Sequence, residues 1–488
     1  MPTYHYIACD LGAESGRVML GTLADGKLTL EEIHRFANGP VTVAGTMRWD
    51  VLRLYDELKT GLRKVAARGI KVESLSTDSW GVDYVWLKDN EPLLTAPFHY
   101  RDARTDSGLD RAFAVVPQEE IFAESGIQFM TLNTLYQLHA DAQQRPWVFK
   151  SADRFLCIGD YFNYLFSGVA KAEVSLASTT QLYNPKKKKW SKPLLKKLGL
   201  PAKRFPEIVP SGTILGPADC SLGLGAAKVI ATCSHDTGAA VAAVPGEGRG
   251  WAYLSSGTWS LLGVEAKQPI LTDASREANF TNEVGYGHSI RFLKNIVGLW
   301  IQQECRREWA CAGQDHDYNA LREMAAQAPP LRSLINPNAA RFLKPGDMPA
   351  KIAAYCRETG QEPPATIGAT VRCVLESLAL LYAKTIADLS AITGQEIKRL
   401  HIVGGGSQNV LLNQFAANAT GLPVIAGPVE GTAIGNILIQ ALALGHLSDL
   451  AALRQIVRAS FPVTKFAPHD TAPWPAAQSQ FAKLTLAT

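Results

Sequence analysis

At 488 residues the chain is longer than one hydrophobic core commonly supports, so two domains are expected. Its 47% hydrophobic and 19% charged residues are those of an ordinary globular protein, and a formal net charge of +4 is too small to indicate a nucleic-acid partner. No apolar run is long enough to span a bilayer, the opening M-P-T-Y-H is no signal peptide, and eight cysteines without a C-x-x-C pair argue against a zinc site.

A cytoplasmic protein with reduced thiols is therefore expected, neither membrane-bound nor nucleic-acid-bound. Cys356 and Cys373 are the pair to inspect for proximity. The densest basic patch, Lys186 to Lys189 with Lys192, Lys196 and Lys197, reads as a solvated turn and helix face.

In chain order, Tyr4 to Cys9 is a short apolar strand that ends in Asp10-Leu11-Gly12-Ala13-Glu14-Ser15-Gly16-Arg17. Val18 to Leu23 resumes as a strand, Asp25-Gly26 is a strong hairpin turn, and Leu28 to Phe36 returns. Neither G-x-G-x-x-G nor G-K-[ST] is present, which excludes Rossmann and Walker loops here. The segment is either a plain hairpin or a turn whose N–H groups face a phosphate, with Asp10 holding a metal through water. Asp50 caps a helix with Leu54, Leu58 and Val65 on one face. Ile70 to Thr77 is the next strand, and it runs out into Asp78-Ser79-Trp80-Gly81-Val82-Asp83. Open α/β sheets bind ligands at that end of a strand. Asp83 is a capping residue or an acceptor for ligand hydroxyls. Asp160 to Gly168 reads as a helix, and Ser178-Thr179-Thr180-Gln181 as a polar loop.

Val229 to Thr232 predicts a strand, followed by Ser234-His235-Asp236-Thr237-Gly238 and a small-residue helix, Ala239 to Ala243. Asp236 there is an N-cap or, sitting near the middle of the chain, a general base; an ordinary carboxyl pKa of about 3.9 would keep it ionised. The second half repeats the plan of the first. Trp251 to Leu254 is a strand, Ser255-Ser256-Gly257-Thr258-Trp259-Ser260 a turn, and Leu261 to Glu265 a strand again. Two such turns suggest duplicated domains that clamp phosphates. Val371 to Ala387 is a long helix containing Glu376 and Tyr382. Leu400 to Val403 is a strand emptying into Gly404-Gly405-Gly406-Ser407-Gln408-Asn409, followed by helix Val410 to Ala419; three glycines there favour nucleotide binding. Val424 to Ala426 is a further strand and Gly431 to Leu444 a helix.

Asp10 to Arg17, Ser255 to Ser260 and Gly404 to Asn409 resemble the two phosphate segments and the adenosine segment of the actin, sugar-kinase and heat-shock ATPase superfamily. S-H-D-T-G at 234 to 238 is similar to the catalytic segment of the FGGY carbohydrate kinases. D-S-W-G-V-D at 78 to 83, Y-R-D-A-R-T at 100 to 105 and L-K-N-I-V-G-L-W at 293 to 300 extend the likeness over essentially the whole chain. The resemblance implies an α/β fold of two ribonuclease-H-like domains, each a mixed five-stranded sheet flanked by helices, with an active-site cleft between them. Residues 1–245 would carry the sugar site and first phosphate loop, and residues 246–488 the second phosphate loop and adenosine site.

The resemblance further implies Mg-ATP as donor, a Mg²⁺ cofactor and L-rhamnulose as acceptor, in a monomer or weak homodimer. Carried over by position, Asp236 is the base, while Gly81, Asp83, His235, Asp236 and Thr237 lie at the sugar. Ala13, Glu14, Ser15, Gly16, Arg17, Thr258, Asn295, Gln303, Gly404, Gly405 and Gly406 contact ATP, and Asp10 approaches the metal through water. Trp80 and Phe129 are candidates for an apolar contact to the sugar's methyl end. Other readings are a kinase for xylulose, fuculose or glycerol, or an actin- or chaperone-like ATPase; a repressor of this fold would need a helix-turn-helix ahead of the first strand.

Overall fold

The computed structural model describes residues 2–92 and 96–486. The chain divides into two compact units. The first comprises Met1–Pro245, Glu265–Phe292 and Gly431–Ser460; the second comprises Gly246–Val264, Leu293–Glu430 and Phe461–Thr488.

The first unit is built on a sheet ordered Thr213–Pro217, Lys228–Ala231, Ser74–Ser79, Tyr4–Leu11, Ser15–Ala24, Lys27–Ala37. The last three strands form an antiparallel meander that turns at Asp25-Gly26, both with positive φ, as an Asp-Gly hairpin requires. Tyr4–Leu11 pairs parallel with Ser74–Ser79, and that strand pairs parallel with Lys228–Ala231. Thr213–Pro217 adds an antiparallel sixth strand at the edge, one more than the five expected.

Side chains alternate across this sheet with period two. Ile7, Cys9, Leu11, Val18, Leu20, Leu75 and Val229 share one core with Leu54, Leu58, Leu62 and Val65 of helix Val51–Ala66 and Phe162 of helix Ile158–Ser167. Asp50 caps the first of these helices by accepting from the Arg53 amide. Burying each such leucine contributes about 1.5–3 kcal/mol. The opposite face carries Tyr6, Ala8, Asp10, Ser74, Ser76 and Asp78, and helix Gly431–Ala443 lies against it. Gln440 of that helix donates Nε2 to the Ile7 carbonyl at 2.9 Å and accepts from Ser74 Oγ at 2.6 Å. This helix also meets helix Asp236–Ala242 so closely that a Cβ on Gly435 would lie 1.9 Å from the Ala239 carbonyl oxygen.

A second core, rich in aromatics, holds Tyr84, Trp86, Phe122, Phe155 and Leu195. Beside it, Ser178 and Thr179 belong to a fully buried helix, Val174–Thr179, rather than to a polar loop. Small and hydroxyl side chains permit that burial, because Ser178 and Thr179 return their hydroxyls to backbone carbonyls one turn earlier.

The second sheet has seven strands, two more than the five expected, and five of them run in the order Trp259–Ala266, Trp251–Ser256, Arg399–Val403, Val424–Ala426, Thr464–Phe466. Their pairings are antiparallel, parallel, parallel and antiparallel. The first unit has the same sequence of pairings from Ser15–Ala24 to Thr213–Pro217, so the repeat expected from the two Gly/Ser turns extends to whole sheets. Helix Ile367–Thr393 is ten residues longer than the apolar run alone predicts, and its Tyr382 hydroxyl bonds Ser260 Oγ at 2.9 Å. Cys356 and Cys373 are neighbours, thiol to thiol, and both are free. Among the described residues no helix is long and apolar enough to cross a membrane. Lys187 and Lys197 of the basic patch pair with Glu124 and Glu120 at the surface.

Candidate active site

In the first unit the candidate residues collect at the carboxyl ends of three parallel strands. Asp10 and Asp78 stand side by side in register on adjacent strands, and the Ser234–Asp236 segment follows the third. The Ser79 amide donates to the Ser234 carbonyl at 2.8 Å, which ties the third strand end to the second. Arg17 Nη2 reaches Asp10 Oδ2 at 2.5 Å. The turn between them is closed by the Gly12 amide on the Ser15 carbonyl at 2.9 Å and held open at its base by Asn38 Nδ2 on the Gly12 carbonyl at 2.7 Å. Gly16 has no room for a side chain, since its Cβ would fall 2.3 Å from the Phe36 ring.

Asp78 is fully buried. Its Oδ2 accepts from Asn436 at 2.5 Å, and its Oδ1 has no hydrogen-bond partner. Burial first, and the Asp10 charge second, push its carboxyl well above the usual range. Asp236 opens helix Asp236–Ala242, and His235, not Asp236, is the N-cap. The Asp236 carboxylate accepts from the Thr237 amide and from Thr237 Oγ1 at 3.0 Å. Burial raises its pKa, His235 opposes the rise, and Asp10 adds to it, so the side chain does not have the unperturbed acidity expected of it. Burial is the main physical cause, and the like charge of Asp10 adds to it.

Behind this segment lies a residue the sequence reading passed over. Glu173 is fully buried and caps helix Val174–Thr179. Its Oε2 accepts from the Ser175 amide at 2.9 Å, from Ser175 Oγ, and from the Ser234 amide at 3.0 Å. Ser175 Oγ in turn takes the His235 amide at 3.0 Å. One carboxylate thus fixes the Ser234 amide directly and the His235 amide through Ser175. An acid immediately ahead of V-S-L-A-S-T was the available signal, an N-cap in an otherwise apolar stretch.

Asp83 is 1% exposed. Its Oδ2 accepts from Trp49 Nε1 at 2.6 Å, Trp80 Nε1 at 3.0 Å and the Tyr100 amide at 3.2 Å, and its Oδ1 accepts from Gln137 Nε2 at 2.9 Å. Burial raises its pKa to about 6 against these donors. Trp80 is buried beside Trp49, with ring centroids 4.1 Å apart, and Phe129 packs on Phe113 and Phe122. Gly81 lies against Thr179, whose hydroxyl a Cβ would approach to 3.1 Å.

In the second unit, Gly257-Thr258 forms the turn of the hairpin that pairs Ser256 with Ser260. The amides of Gly298 and Trp300 donate to the Thr258 carbonyl, and that of Leu299 to the Gly257 carbonyl at 3.0 Å. Asn295, on strand Ile290–Val297, precedes this clamp. Gln303, in the first turn of helix Trp300–Cys311, has its buried Oε1 without a partner. Arg399–Val403 pairs with Trp251–Ser256, and the glycines that follow therefore land against Ser256. Gly404 has φ 84°, and its Cβ would sit 2.9 Å from the Ser256 carbonyl oxygen; a Cβ on Gly406 would sit 2.0 Å from Ser256 Oγ. Only Gly405 faces open space. Two of the three glycines thus serve strand-end packing, and one leaves room for a ligand.

Each unit thus carries a Gly/Ser hairpin turn beside the end of a parallel strand, and the first adds a carboxylate cluster. Family models say which proteins share this pattern. The N-terminal domain of the FGGY family of carbohydrate kinases matches residues 5–243, and the C-terminal domain matches residues 252–444. The chain belongs to the FGGY family of carbohydrate kinases. Within that class it is 43% identical over 481 residues to a rhamnulokinase of Bacteroides thetaiotaomicron, covering 98% of each chain. It is 41% identical to a rhamnulokinase of Bacillus subtilis, covering 95% of this chain and 96% of that one. Gluconate kinase from Lactobacillus acidophilus shares the fold with TM-score 0.81 at 17% identity, covering 100% of this chain and 98% of that one. Plasmodium falciparum glycerol kinase with ADP superposes with TM-score 0.80 at 13% identity, covering 100% and 98%.

Proposed function

We propose that this kinase transfers the γ-phosphoryl group of ATP to the C1 hydroxyl of L-rhamnulose, giving L-rhamnulose 1-phosphate and ADP in L-rhamnose breakdown. The observation that carries the reading is identity of 41–43% to curated rhamnulokinases over nearly the full chain.

Phosphoryl transfer needs positioning and charge neutralisation more than covalent chemistry. Asp236 takes the proton of the reacting hydroxyl as attack proceeds. Its raised pKa makes it a stronger base than a free aspartate, which favours proton acceptance. Gly81, His235 and Thr237 face the sugar, and Asp83 fixes the Trp49–Trp80 wall beside it. The Ala13–Arg17 turn and Thr258 receive the phosphates; Asn295, Gln303 and Gly404–Gly406 receive the rest of the nucleotide.

Mg²⁺ fits the acidic end of the first unit. Asp10, Asp78 and Asp236 crowd one region, Arg17 pairs with Asp10, and Asp78 Oδ1 has no hydrogen-bond partner. Among the described residues no three His, Cys, Asp or Glu side chains form a metal cage. Asp10 would approach the ion through water, since Mg²⁺ keeps several waters and binds through one or two carboxylates plus substrate phosphates. When bound it would neutralise charge on the phosphate oxygens.

A coupled kinase assay over a panel of ketoses tests the substrate. L-rhamnulose is expected to give the highest kcat/KM and glycerol a poor one. A pentulose lacking the C6 methyl should be weaker but measurable, because a missing methyl is worth only ~1–3 kcal/mol. Xylulose or glycerol above L-rhamnulose would overturn the substrate and leave the kinase standing.

A further inference from the structure

His235 is held by two residues that the sequence motifs do not include. Glu283 lies on strand Thr281–Val284 and Arg291 on strand Ile290–Val297, joined by a short connection closed by the Gly285 amide on the Ser289 carbonyl at 2.8 Å. The Arg291 side chain is 0% exposed. Its Nη2 stands 3.0 Å from His235 Nδ1 and 3.1 Å from Glu283 Oε2, and both Nη2 and Nε donate to the Val284 carbonyl. On the other side of the ring, His235 Nε2 is 3.4 Å from Asp236 Oδ1.

A guanidinium has donors only and stays protonated, so whatever ring nitrogen it meets must accept. Nδ1 is then the lone-pair nitrogen, and in a neutral imidazole the single proton must be on Nε2. Glu283 Oε2 lies 3.4 Å from the same Nδ1 and by itself would draw a proton there. Arg291 is closer to that nitrogen and forms an ion pair with the same carboxylate, so Glu283 is engaged by the arginine. Ser175 holds the His235 amide and Glu173 the Ser234 amide just before it, leaving the ring little freedom to turn.

We propose that Arg291, braced by Glu283, holds His235 as the tautomer protonated at Nε2, so that the ring presents one fixed hydrogen-bond donor on the side of Asp236 and of the acceptor sugar. Arg291 is a positioning residue; His235 makes the contact. The site then selects an oxygen, carbonyl or hydroxyl, beside the reacting group, and refuses an ammonium or other pure donor there. Its role toward the sugar rests on the function proposed above, whereas the tautomer does not.

The test uses the full chain labelled with ¹⁵N-histidine, its 10 histidines resolved by comparison with His235→Gln. Without any substrate, His235 should show a proton on Nε2 and a bare Nδ1; a proton on Nδ1 in the wild type overturns the proposal whichever sugar the enzyme uses. Arg291→Met should give mixed tautomers and raise the sugar KM about 10- to 100-fold while the ATP KM stays unchanged. Removing one partner of a buried pair strands the other charge, so the double variant Arg291→Met/Glu283→Gln carries the same measurements in a neutral background. Gln at 235 offers an acceptor and a donor in one side chain, so His235→Gln should retain more activity than His235→Leu. An unchanged tautomer and sugar KM in both arginine variants would overturn the proposal, as would equal loss in His235→Gln and His235→Leu.

Discussion

Gly435 is the position where one added carbon should do the most harm to activity. It lies on helix Gly431–Ala443, and its Cβ would come 1.9 Å from the Ala239 carbonyl oxygen and 2.5 Å from the Ala239 carbonyl carbon. The obstacle is backbone, and it belongs to helix Asp236–Ala242, whose first residue is the proposed base. Ordinary contact begins near 3.4 Å, so Gly435→Ala must drive the helices apart by about 1.5 Å. Alanine's helix propensity returns at most ~1 kcal/mol, while overpacking a well-filled core costs typically ~1–3 kcal/mol. The net loss of stability is therefore modest. The loss of activity is not, because a displacement of about 1 Å at a reacting group can cost on the order of 10²-fold in rate. The assay is kcat in the coupled reaction alongside thermal melting of the purified variant. A Gly435→Ala enzyme with native kcat and native Tm would refute the packing argument, since no flexible side chain is available there to yield.

Asp236→Asn should keep the fold and ATP binding while lowering kcat by about 10²–10⁴-fold; near-normal turnover in a folded variant would remove Asp236 as base. Because a protonated base is inactive and the Asp236 pKa is raised, kcat/KM for the sugar should fall on the acid side at a pH above that of an ordinary aspartate, near 3.9. A profile flat down to pH 4 would contradict this. Glu173→Ala strands the buried Ser175, Leu176 and Ser234 amides and should cost about 3–5 kcal/mol in urea unfolding. Glu173→Gln can keep its oxygen on those amides and turn its NH₂ to Ser211 Oγ, so it should lose much less; equal losses would refute the capping account. Gly404→Ala combines a φ of 84° with a 2.9 Å approach to the Ser256 carbonyl oxygen, and should raise the ATP KM more than the sugar KM.

The strands leading into the Gly, Ser and Asp turns were legible because their apolar runs end in those residues and two of the turns repeat, whereas Thr213–Pro217, Thr281–Val284, Ile290–Val297 and Thr464–Phe466 were not. Asp25-Gly26 announced its hairpin and Asp50 its helix, each through chemistry confined to a few residues. Ser178 and Thr179 misled, since hydroxyl side chains look solvent-facing until their backbone partners are known, while Thr180 and Gln181 do form a turn. The acidity of Asp236 was misjudged for a related reason: burial raises its pKa first, and the charge that adds to the rise sits on Asp10, 226 positions away in the chain. Glu173, Glu283 and Arg291 carry no motif. Their roles come from which strand end they sit behind, and spacing along a chain does not report that. The glycines at 404–406 were read as a ligand platform, yet two of them are explained by Ser256, a neighbour only through parallel pairing.

The first unit is assembled from three stretches of chain, and its last piece is made late. Helix Gly431–Ala443 supplies Asn436 to the buried Asp78 and Gln440 to Ser74 and the first strand. Until residue 443 has left the ribosome, the sheet laid down by the first 231 residues has one face exposed and a buried-to-be carboxylate without its amide. The enzyme therefore cannot finish its amino-terminal half during synthesis of that half. That half should stay partly open, and dependent on protection from aggregation, until more than nine-tenths of the chain has been translated.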